Sequence, residues 1–139
     1  MIDLFDNEAR FIAQLYRKLN RALDRELSPL GLSHGRYLYL FGLYLEDGRS
    51  QQSLADALAF DKAAVTRALS RLEQDGFIER RRNPGDRRVI SVYLTEQGRK
   101  LRPQMESALA AAIRDITAHL PEAKARQLRH LLRLACSVE

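Results

Sequence analysis

Among the 139 residues there is one cysteine, no tryptophan, four prolines and three histidines. A lone cysteine, Cys136, cannot close an internal disulfide, so a packed core must hold the fold and a cytoplasmic location is expected. No apolar run approaches the roughly 20 residues of a membrane span, and no membrane partner is expected. The opening MIDLFDNEAR is acidic early and lacks the layout of a secretion signal. The histidines His34, His119 and His130 are scattered, and no metal site is expected. Ser33 and Ser53 lack the setting of a nucleophile elbow, and no glycine-rich phosphate loop is present. Glu73 and Asp75 are two apart on a helix and do not face one another. These gaps exclude the common catalytic layouts: no enzyme activity, catalytic residue or cofactor is expected.

What is there is charge and helical pattern. A chain this long can bury one core, so residues 1–139 are expected to form a single domain. The formal net charge is +5, which suggests a polyanionic partner. Much of that excess falls in one stretch, Ser50 to Thr95.

Ser50 is placed as an N-cap, and Leu54, Ala55 and Leu58 form one apolar stripe on a short helix. Ala59-Phe60-Asp61 breaks it, and Asp61 caps a second helix from Lys62 to about Asp75, where Gly76 suits the left-handed position beyond its end. Val65, Leu69 and Leu72, with Ala68, face the core. Ala63, Thr66, Arg67 and Ser70 fall on the other side, at i, i+3, i+4 and i+7. Solvated faces are usually rich in Glu and Lys. Small side chains with one arginine let a helix approach base edges in a major groove. Lys62 at the positive helix end is locally unfavourable, and a nearby phosphate would reverse that.

Phe77 to Arg82 then reads as a strand, Asn83-Pro84-Gly85-Asp86 as a turn and Arg87 to Leu94 as the returning strand. Five arginines (Arg80, Arg81, Arg82, Arg87 and Arg88) crowd this hairpin against Glu79 and Asp86. A polyanion relieves that repulsion, and a narrow minor groove attracts guanidinium. Asp86 is expected to orient Arg88 or Arg87. The candidate DNA contacts are therefore Lys62, Ala63, Thr66, Arg67, Ser70 and Arg71 on the helix, and Arg82, Asp86, Arg87 and Arg88 on the hairpin.

These residues resemble the MarR family of bacterial transcription regulators. The hairpin matches that family's D-x-R-x5-L-T pattern at Asp86, Arg88, Leu94 and Thr95. The helix matches V-T-R followed by L-x-x-L-E-x-x-G at Val65-Thr66-Arg67, Leu69, Leu72-Glu73 and Gly76. Gly76-Phe77-Ile78-Glu79-Arg80 also looks like the family. The motifs are specific from about Leu54 to Thr95, whereas the flanking helices match in pattern alone. The resemblance implies a mainly α fold with a small β-hairpin wing (α+β), a winged helix-turn-helix over 33–95. It implies a homodimer joined through terminal helices, 1–30 and 96–139. It also implies a repressor that occludes promoters on double-stranded DNA with a pseudo-palindromic operator, and release by a small organic ligand, often an aromatic acid. Peroxide-sensing members use a cysteine in the first helix region, which this chain lacks.

The flanks agree. Asp3 to about Leu27 reads as a long first helix with a wide apolar stripe (Phe5, Ile12, Leu15, Tyr16, Leu19, Leu23, Leu27), ended by Pro29 and Gly31. Ser33 is expected to cap a second helix, His34 to about Glu46. Thr95 caps a long fifth helix to about His119, bent by Pro103. Pro121 or Glu122 opens a last helix to about Cys136. Apolar faces at both chain ends exceed what the central domain can cover, which points to an isologous dimer. Where the first and second helices meet, Tyr16, Arg17, His34, Arg36 and Tyr37 offer cationic groups beside aromatic rings, chemistry suited to an aromatic carboxylate.

Two other readings fit parts of the pattern. A winged-helix module could bind protein alone, without sequence-specific DNA binding, but the hairpin arginines and the V-T-R stripe argue against it. An RNA-binding winged helix would leave the recognition stripe without a purpose, because the A-form major groove is too deep and narrow to read.

Overall fold

Side-chain caps decide where most elements begin. In the computed structural model, which describes residues 1–137, helix α1 (Glu8–Leu27) starts after Asn7, whose Oδ1 accepts the Arg10 N–H at 3.0 Å. The start expected at Asp3 is too early. Asp3 Oδ1 accepts from the N–H groups of Phe5 and Asp6 and folds that segment into a turn. A 3-10 turn at Ser28–Leu30 and left-handed Gly31 (φ 78°) end the helix where Pro29 and Gly31 predicted.

Helix α2 (Tyr37–Leu45) also begins later than expected, and Ser33 is not its side-chain cap. The His34 N–H donates to Asp24 of α1 at 2.8 Å, and the Arg36 N–H donates to the Ser33 carbonyl. A tertiary carboxylate holds residues 33–36 as a turn and displaces the local cap. Helices α3 (Gln51–Leu58) and α4 (Lys62–Gln74) begin as the sequence predicts. Ser50 Oγ accepts from the Ser53 N–H at 3.0 Å and Asp61 Oδ1 from the Ala64 N–H at 2.8 Å.

The two helices close with the same device. Beyond α4, Gly76 is left-handed (φ 86°), the Phe77 N–H reaches the Leu72 carbonyl and the Gly76 N–H reaches the Glu73 carbonyl. Beyond α3, the Phe60 N–H reaches the Ala55 carbonyl, but the left-handed residue is Ala59 (φ 55°). A Cβ in that region is strained, at roughly 1–2 kcal/mol, partly offset by the greater unfolded-state freedom of glycine. Ala59→Gly is therefore expected to stabilise the protein by roughly 0.5–1 kcal/mol. A rise in the urea midpoint at unchanged slope would show it; a fall would contradict it.

Strands β1 (Ile78–Arg82) and β2 (Ile90–Leu94) pair antiparallel from Ile78↔Leu94 to Arg82↔Ile90. Both are shorter than expected: Phe77 precedes β1, and residues 83–89 form the tip. There Asn83 Oδ1 accepts from the Gly85 N–H, and the Val89 N–H donates to the Asp86 carbonyl. The segment before α3 lines the far edge of β2 through a Ser50↔Ser91 bridge and a Val92 N–H bond to the Arg49 carbonyl.

The expected fifth helix is two helices, α5 (Glu96–Lys100) and α6 (Arg102–Ile116). Pro103 has no N–H to give the Arg99 carbonyl, so the helix breaks at Leu101 instead of bending. Helix α6 stops before the expected His119, at Ile116. The last helix, α7 (Glu122–Cys136), matches expectation.

The core joins α1 to α6 and both to the winged segment. Leu23, Leu27, Leu40, Leu43, Leu54, Leu69, Leu72, Ile78, Val92 and Met105 are each at most 2% exposed. No residue of α7 is buried. Ile2, Leu4, Phe5 and Ile12 at one end, and Leu131 and Leu134 at the other, are each more than half exposed. No described helix is long and apolar enough to cross a membrane.

Candidate nucleic-acid interface

Helix α4 is split as its sequence requires. Val65, Leu69 and Leu72 are fully buried, while Lys62, Ala63, Thr66 and Arg67 are exposed and Ser70 is half-buried. Among the described residues, Arg67 makes no hydrogen bond or ion pair. It stands free on a surface of small side chains. Ser70 Oγ accepts from Arg80 Nη2 at 3.1 Å, and Arg71 lies along its own helix against Asp75 at 3.2 Å.

The hairpin arginines have separate tasks. Arg80 turns inward: its N–H and guanidinium bind the Glu73 carboxylate, with Nη2 at 3.0 Å from Oε1, so it braces β1 against α4. Arg81 pairs with Glu79 at 3.0 Å and lies over the Tyr93 ring. Arg82 Nη1 donates to the Arg87 carbonyl at 2.9 Å and staples the tip. Arg88 is bound through its own N–H and its guanidinium to Asp86, yet its side chain is 91% exposed. The guanidinium bonds first, and the Arg88 backbone N–H second, hold the Asp86 carboxyl below the usual carboxylate range. Of the two candidates for orientation by Asp86, the geometry selects Arg88. Arg87 has no side-chain partner among the described residues.

Helix and wing meet at the α4 N-terminus. Lys62 and Arg88 line one cavity of about 160 Å³ with Ser50, Gln51, Val65 and Ile90. Gln51 escaped sequence reasoning. Its Nε2 donates to Thr66 Oγ1 at 2.9 Å, a contact between helices that no local pattern announces.

The residues expected to form an effector site are only partly gathered. Tyr16 lies close enough to Tyr37 to act on its ionisation; burial first, then Tyr16, push the Tyr37 hydroxyl upward. Tyr37 also meets Phe41 edge to face at 5.7 Å. His34 Nδ1 is 2.9 Å from Asp24, and Arg36 Nη1 is 2.9 Å from Asp75, so each already faces an internal carboxylate. Arg17 is exposed on α1. No group of three or more His, Cys, Asp or Glu suited to a metal occurs among the described residues.

Comparison with known proteins follows the same outline. A family model described as the MarR family matches residues 32–90. An uncharacterized HTH-type transcriptional regulator, YybA of Bacillus subtilis (strain 168), is 32% identical over 94 residues; the match takes in 68% of this chain and 63% of that protein, just under two thirds of its length. Among solved structures, a MarR transcriptional regulator from Methanosarcina mazei Go1 superposes with a TM-score of 0.83 at 31% identity over 91% of each chain. A cysteine-to-serine mutant of MarR from E. coli, complexed with operator DNA, superposes with a TM-score of 0.86 at 28% identity over 98% of this chain and 100% of that one. The two structural likenesses take in the flanking helices as well as the winged segment, and the chain belongs to the MarR family of transcriptional regulators.

Proposed function

We propose that this protein is a homodimeric, sequence-specific DNA-binding regulator that represses transcription by occupying a pseudo-palindromic operator. The observation that carries this reading is Arg67, exposed and without a partner among the described residues on a small-residue helix face, beside a wing whose Arg88 is held outward by Asp86. Free arginine on a close-approach surface suits base edges, and an outward arginine at a hairpin tip suits a minor groove. The operator-bound relative supports the same use of this fold. Residues 33–95 would form the DNA-binding region, with 1–30 and 96–139 forming the dimer. A salt titration of duplex binding, with double-stranded RNA as competitor, tests the function. Binding that ignores salt, or that RNA displaces equally, would defeat it.

Within that reading, Arg88→Ala is expected to weaken duplex binding by roughly 1 kcal/mol or more near 150 mM salt. Asp86→Ala should weaken it less, because the guanidinium remains but loses its tether. Full affinity in Arg88→Ala would transfer the groove role to Arg87.

The dimer rests on the exposed apolar surface at both chain ends, Phe5 and Ile12 on one side and Leu131 and Leu134 on the other. Light scattering at micromolar concentration should give twice the protomer mass; a stable monomer would rule the dimer out. A small aromatic or organic acid wedged where α1, α2 and the dimer frame meet would alter the spacing of the two recognition helices. It must favour the spacing that does not bind DNA by about 1.4 kcal/mol for each tenfold loss of affinity. Tyr16 and Tyr37 are its best-placed aromatic groups; His34 and Arg36 would have to leave their carboxylates. A panel of aromatic acids added to the duplex titration should contain a releasing compound, and a panel without one would remove this element. Cys136 is exposed near the C-terminus, and Cys136→Ser should leave any peroxide response unchanged.

A further inference from the structure

Thr66 lies on the exposed face of α4, yet its hydroxyl is engaged twice inside the protein. It donates to the Lys62 carbonyl one turn back at 2.9 Å and accepts from Gln51 Nε2 at 2.9 Å. A threonine hydroxyl has one hydrogen to give, and Lys62 holds it. The other heavy substituent on Cβ, the methyl, is left as the unpartnered group. Gln51 is the first residue of α3. Its second amide atom, Oε1, is buried with no hydrogen-bond partner among the described residues. An amide oxygen buried in that way costs stability. Among the described residues, the one hydrogen bond its side chain makes is the bond to Thr66.

We infer that Thr66 reads the 5-methyl group of a thymine through its own methyl, and that Gln51 is the positioning residue that fixes the threonine rotamer. The inference rests on the proposed entry of α4 into a DNA major groove. There a thymine presents one apolar feature, its methyl, and small aliphatic side chains are its natural contact. For Thr66 to donate to a phosphate or a base acceptor instead, the bond to Lys62 would have to break. Ala63, three residues back on the same exposed face, extends the apolar surface, and Arg67 follows at the next position. A half-site should therefore place a thymine for Thr66 beside a guanine for Arg67.

The test uses a duplex enriched from a randomised pool by the wild-type protein, with each thymine replaced in turn by deoxyuridine, which lacks only the methyl. Wild type should lose roughly fourfold in affinity at one thymine of each half-site, the size expected for one buried methyl group. Thr66→Val keeps a methyl in place and should show the same loss. Thr66→Ser should bind the thymine and uracil duplexes alike. Gln51→Ala should narrow the discrimination, and adding Thr66→Val to it should restore the wild-type pattern, which a purely structural role for Gln51 would not produce. A uracil penalty that persists in Thr66→Ser, or one lost in Thr66→Val, overturns the methyl contact. Undiminished discrimination in Gln51→Ala overturns the positioning role. Enrichment of a duplex with no uracil-sensitive thymine defeats this inference alone, whereas failure to enrich any duplex defeats the DNA-binding proposal beneath it.

Discussion

Arg67→Ala is expected to cost roughly 1–3 kcal/mol of duplex binding at each half-site, the range for a well-placed arginine on a guanine edge. In a symmetric dimer both half-sites lose the contact, so the total loss should exceed that of any single wing substitution. Stability should hardly change, because Arg67 is exposed and makes no hydrogen bond or ion pair among the described residues. That separation is the diagnostic feature: binding falls while the thermal midpoint stays. Specificity should also relax at one base pair of each half-site, as expected for a lost base contact and not for a lost phosphate contact. An unchanged binding curve would remove α4 as the recognition helix.

The largest stability effect is expected at Gly98, far from any base. Gly98 lies in α5 where the helix crosses the wing root. A Cβ built there would overlap the Phe77 carbonyl oxygen and stand 3.4 Å from Leu94 Cδ2. The first of these is backbone and cannot turn aside. It is pinned further because the Phe77 carbonyl accepts from the Thr95 N–H at 3.1 Å. Gly98 itself is anchored at both ends of its peptide: its N–H donates to Thr95 Oγ1, and its carbonyl accepts from the Tyr44 hydroxyl at 2.6 Å. Burial, with a smaller opposing pull from Arg102, pushes that hydroxyl up to about 12, so it stays protonated as a donor at neutral pH. Gly98→Ala must therefore shift α5 away from Phe77 and disturb all three bonds. A loss of about 3 kcal/mol is expected, at the upper end for overpacking. Gly85→Ala at the exposed tip, where the added Cβ meets only Asn83 Oδ1 at 3.3 Å, is the control and should change stability little. Urea midpoints compare the two; a Gly98→Ala protein within roughly 0.5 kcal/mol of wild type would contradict the packing described.

The parts of the fold that the sequence announces are those set by short-range bonds. Ser50 and Asp61 cap helices three residues ahead, and Gly76 closes a motif that spans Leu72 to Phe77, so each is visible in a window of a few residues. The outward arginine is legible for the same reason, since Asp86 and Arg88 are two apart. Errors enter where a distant partner overrules a local one. Ser33 looks like a cap, but Asp24, ten residues earlier and on another helix, takes the His34 N–H. Arg80 reads as one more hairpin arginine until Glu73 of α4 draws it inward. Arg36 looks available to a ligand until α4 brings Asp75 to it across 39 residues of sequence. Gln51 carries no signal at all, because its meaning lies in Thr66, 15 residues on and across a helix-helix contact. Two plausible caps four residues apart, Asp3 and Asn7, explain the misplaced start of α1.

The proposed repression and base reading both require one arrangement, which the proposed dimer would supply: two copies of α4 in successive major grooves of a single duplex face. A hydroxyl-radical footprint of the purified protein on DNA flanking its own gene, near 150 mM salt, tests that arrangement most directly. The expected result is two protected patches on one face, related by a pseudo-palindrome and separated by about 34 Å or slightly less, with minor-groove protection outside them where the wings lie. Uniform protection without symmetry, or a single patch from a single protomer, would contradict it.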